Sequence, residues 1–308
     1  MKILIGYDGS ESSDEALKDL RVAGLPDSVD ARLVTIADVF VPPPITAADD
    51  MFPMQVPPGV RRAHERAEQK LAEAARLATQ ASEKLKSYFP KWKLQHEALA
   101  DSPAWAIVRI ADEWRPNLIV VGAHGHSVLG GRLILGSVSQ RVLYEANASV
   151  RVARGGKGSS DSVIRIIVGL DGSPHSHAAV DAVSQRQWPK GTAVRLVSVV
   201  DTIMAVSADP SDQSVLSWLE VDDDEKSEKV RRLFEPLAEK LRAAGLDTSV
   251  VIRRGKPKDE LVEEATRWNA DNIFLGAKGM RGIERLLLGS VSAAVAASAP
   301  CSVEVIRP

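Results

Sequence analysis

The chain has one cysteine, Cys301, in 308 residues, which excludes an internal disulfide and any zinc site built on cysteines. It has no excess of either charge. Its 39 Lys and Arg stand against 41 Asp and Glu, so the net charge of −2 gives no electrostatic reason to expect nucleic acid or an anionic membrane as partner. No apolar run approaches the roughly 18 residues of a membrane span, and the apolar start Ile3-Leu4-Ile5 is stopped at once by Gly6-Tyr7-Asp8, so a cytoplasmic location is expected. Also missing are a Gly-x-x-x-x-Gly-Lys-Ser/Thr phosphate loop and a Gly-x-Gly-x-x-Gly after the first strand, which argues against a fast ATPase and an NAD-dependent dehydrogenase.

What is present is a repeat. Ile5-Gly6-Tyr7-Asp8-Gly9-Ser10 matches Val168-Gly169-Leu170-Asp171-Gly172-Ser173, and Arg32 to Asp38 matches Arg195 to Asp201 at the same offset. Further on the offset shortens by nine residues, placing Trp114 on Trp268 and Gly122 on Gly276. The extra residues of the first half are expected between Val41 and Gly59, where Pro42, Pro43, Pro44, Pro53, Pro57 and Pro58 oppose a helix and favour an extended loop. That segment carries Met51, Phe52 and Met54 and is expected to border the first site as a mobile cover. Gly155 to Ser162 reads as a flexible linker reaching at most roughly 28 Å, so two neighbouring domains are expected at 1–154 and 163–308.

Periodicity gives one order of elements in both halves. In the first it reads strand Lys2–Tyr7, helix Ser12–Val22, strand Ala31–Ala37, helix Arg61–Tyr88, strand Trp92–Leu99, helix Pro103–Trp114, strand Asn117–Gly122, helix Val138–Ala146 and strand Ser149–Ala153. Short apolar strands separated by amphipathic crossovers predict two doubly wound five-stranded parallel sheets in tandem, an α/β architecture of Rossmann-like type. The stripe Ala67, Leu71, Ala74, Ala78, Ala81 and Leu85 reads as the sheet-facing side of the long helix. An apolar terminal strand is best paired. The last strands, Ser149–Ala153 and Cys301–Ile306, are therefore expected at a contact between halves related by a pseudo-two-fold axis.

The chemistry falls where such a sheet binds ligands, beyond the carboxyl ends of its strands. Gly122-Ala123-His124-Gly125 followed by Gly136-Ser137-Val138-Ser139 recurs as Gly276-Ala277-Lys278-Gly279 followed by Gly289-Ser290-Val291-Ser292. Glycines admit close backbone approach, and amides at a helix start point at an anion. Asp8 and Asp171 end the first strand of each half, where a carboxylate can accept hydrogen bonds from sugar hydroxyls. Asp-Gly-Ser is also an ordinary turn and helix cap, and Gly-Ser-Val-Ser an ordinary helix start; it is the ordered, duplicated set that points to a nucleotide.

At these residues the chain resembles the universal stress protein family in its tandem form, over nearly its whole length. The resemblance implies an adenine nucleotide alpha hydrolase-like fold and a Gly-x-x-Gly, nine residues, Gly-Ser/Thr phosphate motif. Gly276, Gly279 and Gly289-Ser290 fit that spacing, whereas ten residues separate Gly125 from Gly136. It further implies that Asp8 and Asp171 hold ribose or adenine, and that Ala37 with Val121, and Val200 with Leu275, line the adenine pockets. ATP, or AMP or ADP, is the implied ligand. Magnesium or manganese would arrive only with its phosphates, and hydrolysis would be slow at most.

Other constellations fail. Gly125-His126-Ser127-Val128 lacks the second glycine of a hydrolase elbow, having Leu129 there. The pairs His124 with His126 and His175 with His177 lack a third metal ligand and are not repeated in the other half. Asp222 to Glu225 heads a helix and complements its dipole. The expected function is nucleotide-dependent conformation or partner choice in a stress response, with the protein partner unknown and a homodimer left open. A nucleotide-independent interaction module and an ATP-using enzyme of the related α/β superfamily are the competing readings.

Overall fold

The computed structural model describes residues 1–40, 58–124, 135–155, 163–199, 223–279 and 288–308. The first half comprises β1 (Lys2–Gly6), α1 (Glu11–Asp19) continued by a 3-10 turn (Leu20–Val22), β2 (Asp30–Ala37), α2 (Pro58–Tyr88), β3 (Lys93–Ala100), α3 (Pro103–Trp114), β4 (Leu118–Gly122), α4 (Ser137–Glu145) and β5 (Ser149–Ala153). The second comprises β6 (Arg165–Leu170), α5 (Pro174–Ser184), β7 (Ala193–Val199), α6 (Asp223–Ala243), β8 (Asp247–Arg253), α7 (Pro257–Trp268), β9 (Asn272–Gly276), α8 (Ser290–Ser298) and β10 (Ser302–Ile306).

Local chemistry explains most boundaries. Helix α3 starts on Pro103 and α7 on Pro257, where a missing N–H costs nothing, and they end at Arg115 and Asn269 in the left-handed region (φ 51° and 50°). The expectation that prolines keep Val41–Gly59 free of helix fails at its end, because Pro58 and Gly59 open α2; a proline is pre-shaped for a first helical turn. The rest of that segment lies outside the described residues, as does most of the linker. The first helix also differs from expectation, tightening into a 3-10 turn after Asp19. Along α2, Ala67, Ala74, Ala78, Ala81 and Leu85 are buried against β2 and β3, so the small-residue stripe packs on the sheet.

The strands form one continuous sheet in the order β3-β2-β1-β4-β5-β10-β9-β6-β7-β8. Read from either edge, each half has the same doubly wound order. Every neighbouring pair is parallel except the central one, where β5 and β10 run antiparallel with Val303 opposite Val152, Glu304 opposite Arg151 and Val305 opposite Val150. The two expected sheets are therefore fused, and the terminal strands protect each other's edges.

Alternation along these two strands divides the centre of the molecule. Val150, Val152, Val303 and Val305 point to one face, where a single apolar core runs through both halves. On the other face the apolar cores of the halves are separate, and Arg151 and Glu304 lie between them. Arg151 is wholly buried: its Nε and Nη2 donate to Asp19 at 2.6 and 3.0 Å, and Nη2 also donates to Asn272 Oδ1 at 2.5 Å. Its Nη1 stands 3.4 Å from Glu304, whose other oxygen pairs with Arg186. Burial opposes the Arg151 charge, yet the Asp19 and Glu304 carboxylates outweigh it and hold its pKa above the ordinary value. Two arginines and two carboxylates thus neutralise one another at the seam.

Removing Asp19 strands a buried guanidinium. Asp19→Ala is expected to cost about 3–5 kcal/mol of stability, whereas Lys91→Ala, which breaks an exposed pair with Asp27, should barely move the denaturation midpoint. Equal midpoints for the two variants in a denaturant titration would contradict the assignment.

Cys301 gives a second test. Burial pushes its thiol up to about 12, so little nucleophilic thiolate exists at pH 8. Native protein should resist a disulfide-exchange reagent and release one equivalent only on unfolding.

Candidate functional site

Both glycine motifs emerge at the carboxyl end of a strand beside the point where strand order reverses, between β1 and β4 and between β6 and β9. The aspartates follow the neighbouring strands β1 and β6. Asp8 Oδ1 accepts hydrogen bonds from the Ser10 amide at 3.0 Å and the Ser10 hydroxyl at 2.6 Å, and Ser10 caps α1 by accepting from the Ser13 amide at 3.2 Å. Asp171 Oδ1 accepts from the Ser173 amide at 2.9 Å, and Ser173 caps α5 through the Ser176 amide at 3.1 Å. Between each pair the glycine adopts positive φ, +79° at Gly9 and +83° at Gly172, which only glycine takes without strain. The turn reading of Asp-Gly-Ser therefore holds in both halves.

The first glycine of each motif answers a packing demand. A methyl group at Gly122 would stand 2.8–2.9 Å from Ser12, and one at Gly276 would stand 2.6–2.8 Å from His175. These positions let the first turn of α1 or α5 lie against the strand end. Gly279 is different, since a methyl there would meet Asp171 Oδ2 at 2.7 Å. The loop backbone passes directly over the carboxylate. Gly125, its counterpart, and Val200 lie outside the described residues, as do residues 126–134 and 280–287.

The two ends of each motif are fastened together. The Gly136 amide donates to Ala123 O at 2.8 Å, and the Gly289 amide to Ala277 O at 2.6 Å. Ser139 and Ser292, to which sequence reasoning assigned no role, donate their hydroxyls to Gly122 O at 2.5 Å and Gly276 O at 2.6 Å. Their signal in the sequence was the second serine of the repeated Gly-Ser-Val-Ser. These bonds set the helix start against the strand end. Helices α4 and α8 then begin at Gly136 and Gly289 with no side-chain cap, in contrast to α1 and α5. Ser137 and Ser290 are exposed there, and Val138 and Val291 are half-buried. Uncapped first-turn amides beside glycines are the chemistry of an anion site.

Ala37 ends β2 and is nearly buried. Val121 and Leu275 are buried in the apolar core, packed over the strand glycines Gly6 and Gly169.

The two sites differ in charge. Beside the second, His175 has its pKa lowered by burial and by Lys278, with Asp171 partly opposing. Beside the first, Ser12 replaces that histidine and its Oγ accepts from the His124 amide at 3.0 Å. Tyr7 donates to Asp14 at 2.9 Å and Lys84 to the same oxygen at 2.8 Å, tying the first strand to α2; burial, with Asp14, pushes the Tyr7 hydroxyl up to about 12.

The sequence model of the universal stress protein family matches this chain twice, over residues 1–154 and 164–307. A universal stress protein of Mycobacterium tuberculosis is 28% identical over 316 aligned positions that cover 99% of this chain and 96% of its own. One from Mycolicibacterium smegmatis is 31% identical over 205 residues, 62% of each chain. Among solved structures, a universal stress protein from Archaeoglobus fulgidus superposes with a TM-score of 0.58 at 21% identity, covering 100% of this chain and 98% of its own, a likeness of fold. Among the described residues, no helix is long and apolar enough to cross a membrane.

The two motif glycines should respond differently to a methyl group. Gly276→Ala drives a side chain into the α5 backbone and is expected to lose about 1–3 kcal/mol. Gly289→Ala meets nothing nearer than Ala277 O at 3.2 Å among the described residues, with ordinary φ of −76°, and should lose less. Thermal melts of both variants check the order, and a larger loss at Gly289 would reverse the two roles.

Proposed function

The chain belongs to the universal stress protein family, and on that premise we propose that it binds an adenine nucleotide, ATP or its di- or monophosphate, and that occupancy alters its conformation or choice of partner. The observation that carries the reading is the convergence, twice, of an aspartate turn, a glycine loop and an uncapped glycine-led helix start at a topological switch point. The first-turn amides of α4 and α8 would hold phosphate oxygens, with Gly136 and Gly289 admitting their close approach. Asp8 and Asp171 each engage one carboxylate oxygen in their own turn and would receive ribose hydroxyls. Ala37 with Val121, and Val200 with Leu275, would flank the base. A divalent cation would enter with the phosphates. These residues bind and orient; hydrolysis would be slow at most, and a cytoplasmic setting accords with the reading.

The halves would grip phosphate unequally. Lys278 stands in the second loop where His124 stands in the first, and Arg281 and Arg285 follow it in the sequence, against Arg132 alone. Charge-assisted hydrogen bonds to phosphate are about twice as strong as neutral ones. Native mass spectrometry of the purified protein should therefore find an adenine nucleotide retained. In calorimetric titration with ATP, Gly289→Val is expected to weaken binding more than about tenfold, or roughly 1.4 kcal/mol, and Gly136→Val to weaken it less. Equal losses would remove the asymmetry; no binding by the unaltered chain would leave the nucleotide-independent module in its place.

A further inference from the structure

Arg154 follows β5 and Arg307 follows β10, at equivalent places in the repeat, and each crosses the seam. Arg154 donates through Nη2 to Ala296 O at 2.6 Å and Ala297 O at 3.2 Å, carbonyls of the last turn of α8. Arg307 donates to Leu143 O at 2.6 Å in the last turn of α4, and to Ala148 O just beyond it at 3.2 Å. Each arginine of one half thus holds the carboxyl end of a helix in the other. Those two helices are the ones whose amino ends form the glycine-led starts of the candidate sites.

The arrangement is built. Arg154 is 7% exposed, and its own amide donates to Ser302 Oγ at 2.9 Å; the Arg307 amide donates to Ser149 Oγ at 3.0 Å. Among the described residues neither guanidinium pairs with a carboxylate, and Arg154 Nε and Nη1 and Arg307 Nε make no hydrogen bond. Burial pushes both down to about 10, so both remain cations at neutral pH. A buried cation without a carboxylate needs another source of negative potential. A helix carboxyl end, with its orphan carbonyls and its share of the macrodipole, supplies it.

We propose that Arg154 and Arg307 are positioning residues that act crosswise: Arg154 sets the phosphate end of the second-half site and Arg307 that of the first, so that each site depends on the opposite half. The proposal rests on the nucleotide reading above. Each helix has nine residues, about 13.5 Å at the standard rise. It is a short strut held at the amino end by Ser139 or Ser292 and at the carboxyl end by the opposite half's arginine. An anion at one end and a cation at the other favour the same helix dipole. Any coupling is reciprocal: nucleotide in either site tightens the seam, and a tighter seam tightens nucleotide.

The test uses the full chain in two single-site backgrounds, Gly136→Val leaving the second site and Gly289→Val leaving the first. Calorimetry with ATP should show Arg154→Met weakening the second site by about three- to tenfold while the first stays within about twofold; Arg307→Met should do the reverse. Arg154→Lys should restore part of the loss by returning a cation. Because methionine replaces a buried charge with apolar volume, melting temperature should hold or rise, which separates positioning from simple damage. Hydrogen exchange without ligand should quicken in residues 290–298 for Arg154→Met and in 137–145 for Arg307→Met. Losses confined to each arginine's own half, equal losses at both sites, or exchange that quickens equally in both helices would overturn the proposal. If the unaltered chain binds no ATP, the nucleotide reading falls, and the exchange pattern alone then upholds or overturns the crosswise grip.

Discussion

The pairing of Arg151 with Glu304 across the antiparallel seam is the constraint on which the molecule is arranged. The two residues occupy equivalent places in the repeat and sit directly opposite each other. Two copies of β5 in this register would bring Arg151 against Arg151, and two copies of β10 would set Glu304 against Glu304, in an interior that screens charge poorly. Only unlike halves satisfy the position. Asp19 and Arg186 extend the asymmetry, since the repeat has Ala182 and Ala23 in their places. The interior ions contribute less to net stability than their short distances suggest, because desolvation opposes them. What they disfavour is a like-with-like pairing, which would set two buried charges of one sign together.

From that seam the positions of the candidate sites follow. With β5 fixed against β10, β4 and β9 take their places beside them, and the strand ends carrying Gly122 and Gly276 are set. Helices α1 and α5 then press on those glycines, while Ser139 and Ser292 draw the next helix starts back to them. The same few contacts therefore act as packing and as the frame of a binding loop, so substitutions at the first motif glycines and at the helix-start glycines address different questions.

The parts of this fold legible in the sequence were those with short-range causes. Glycines after apolar runs, the alanine stripe of α2 and the duplicated order of elements each report a local demand for room, burial or a strand. Pro58 misled because proline opposes helix interiors yet suits a first turn, and sequence alone does not say which position it holds. The seam was legible only as an edge that needed covering. Val-Arg-Val in β5 reads as a strand with one wet face, and nothing near it announces that Arg151 is wholly buried beside Asp19, 132 residues earlier. The aspartate turns were visible, whereas the serine tethers were hidden inside a motif that already had an explanation. The crosswise arginines were invisible for the same reason as the seam: their partners are backbone carbonyls, which leave no mark in composition.

One antiparallel pair in an otherwise parallel sheet has a geometric result. Strands of the first half and strands of the second point in opposite directions, so their carboxyl ends open on opposite edges of the sheet. The two aspartate turns face away from each other across the full length of the strands. No single small molecule spans them. The molecule is a two-ended object with separate mouths, and whatever one end learns of the other must pass through protein.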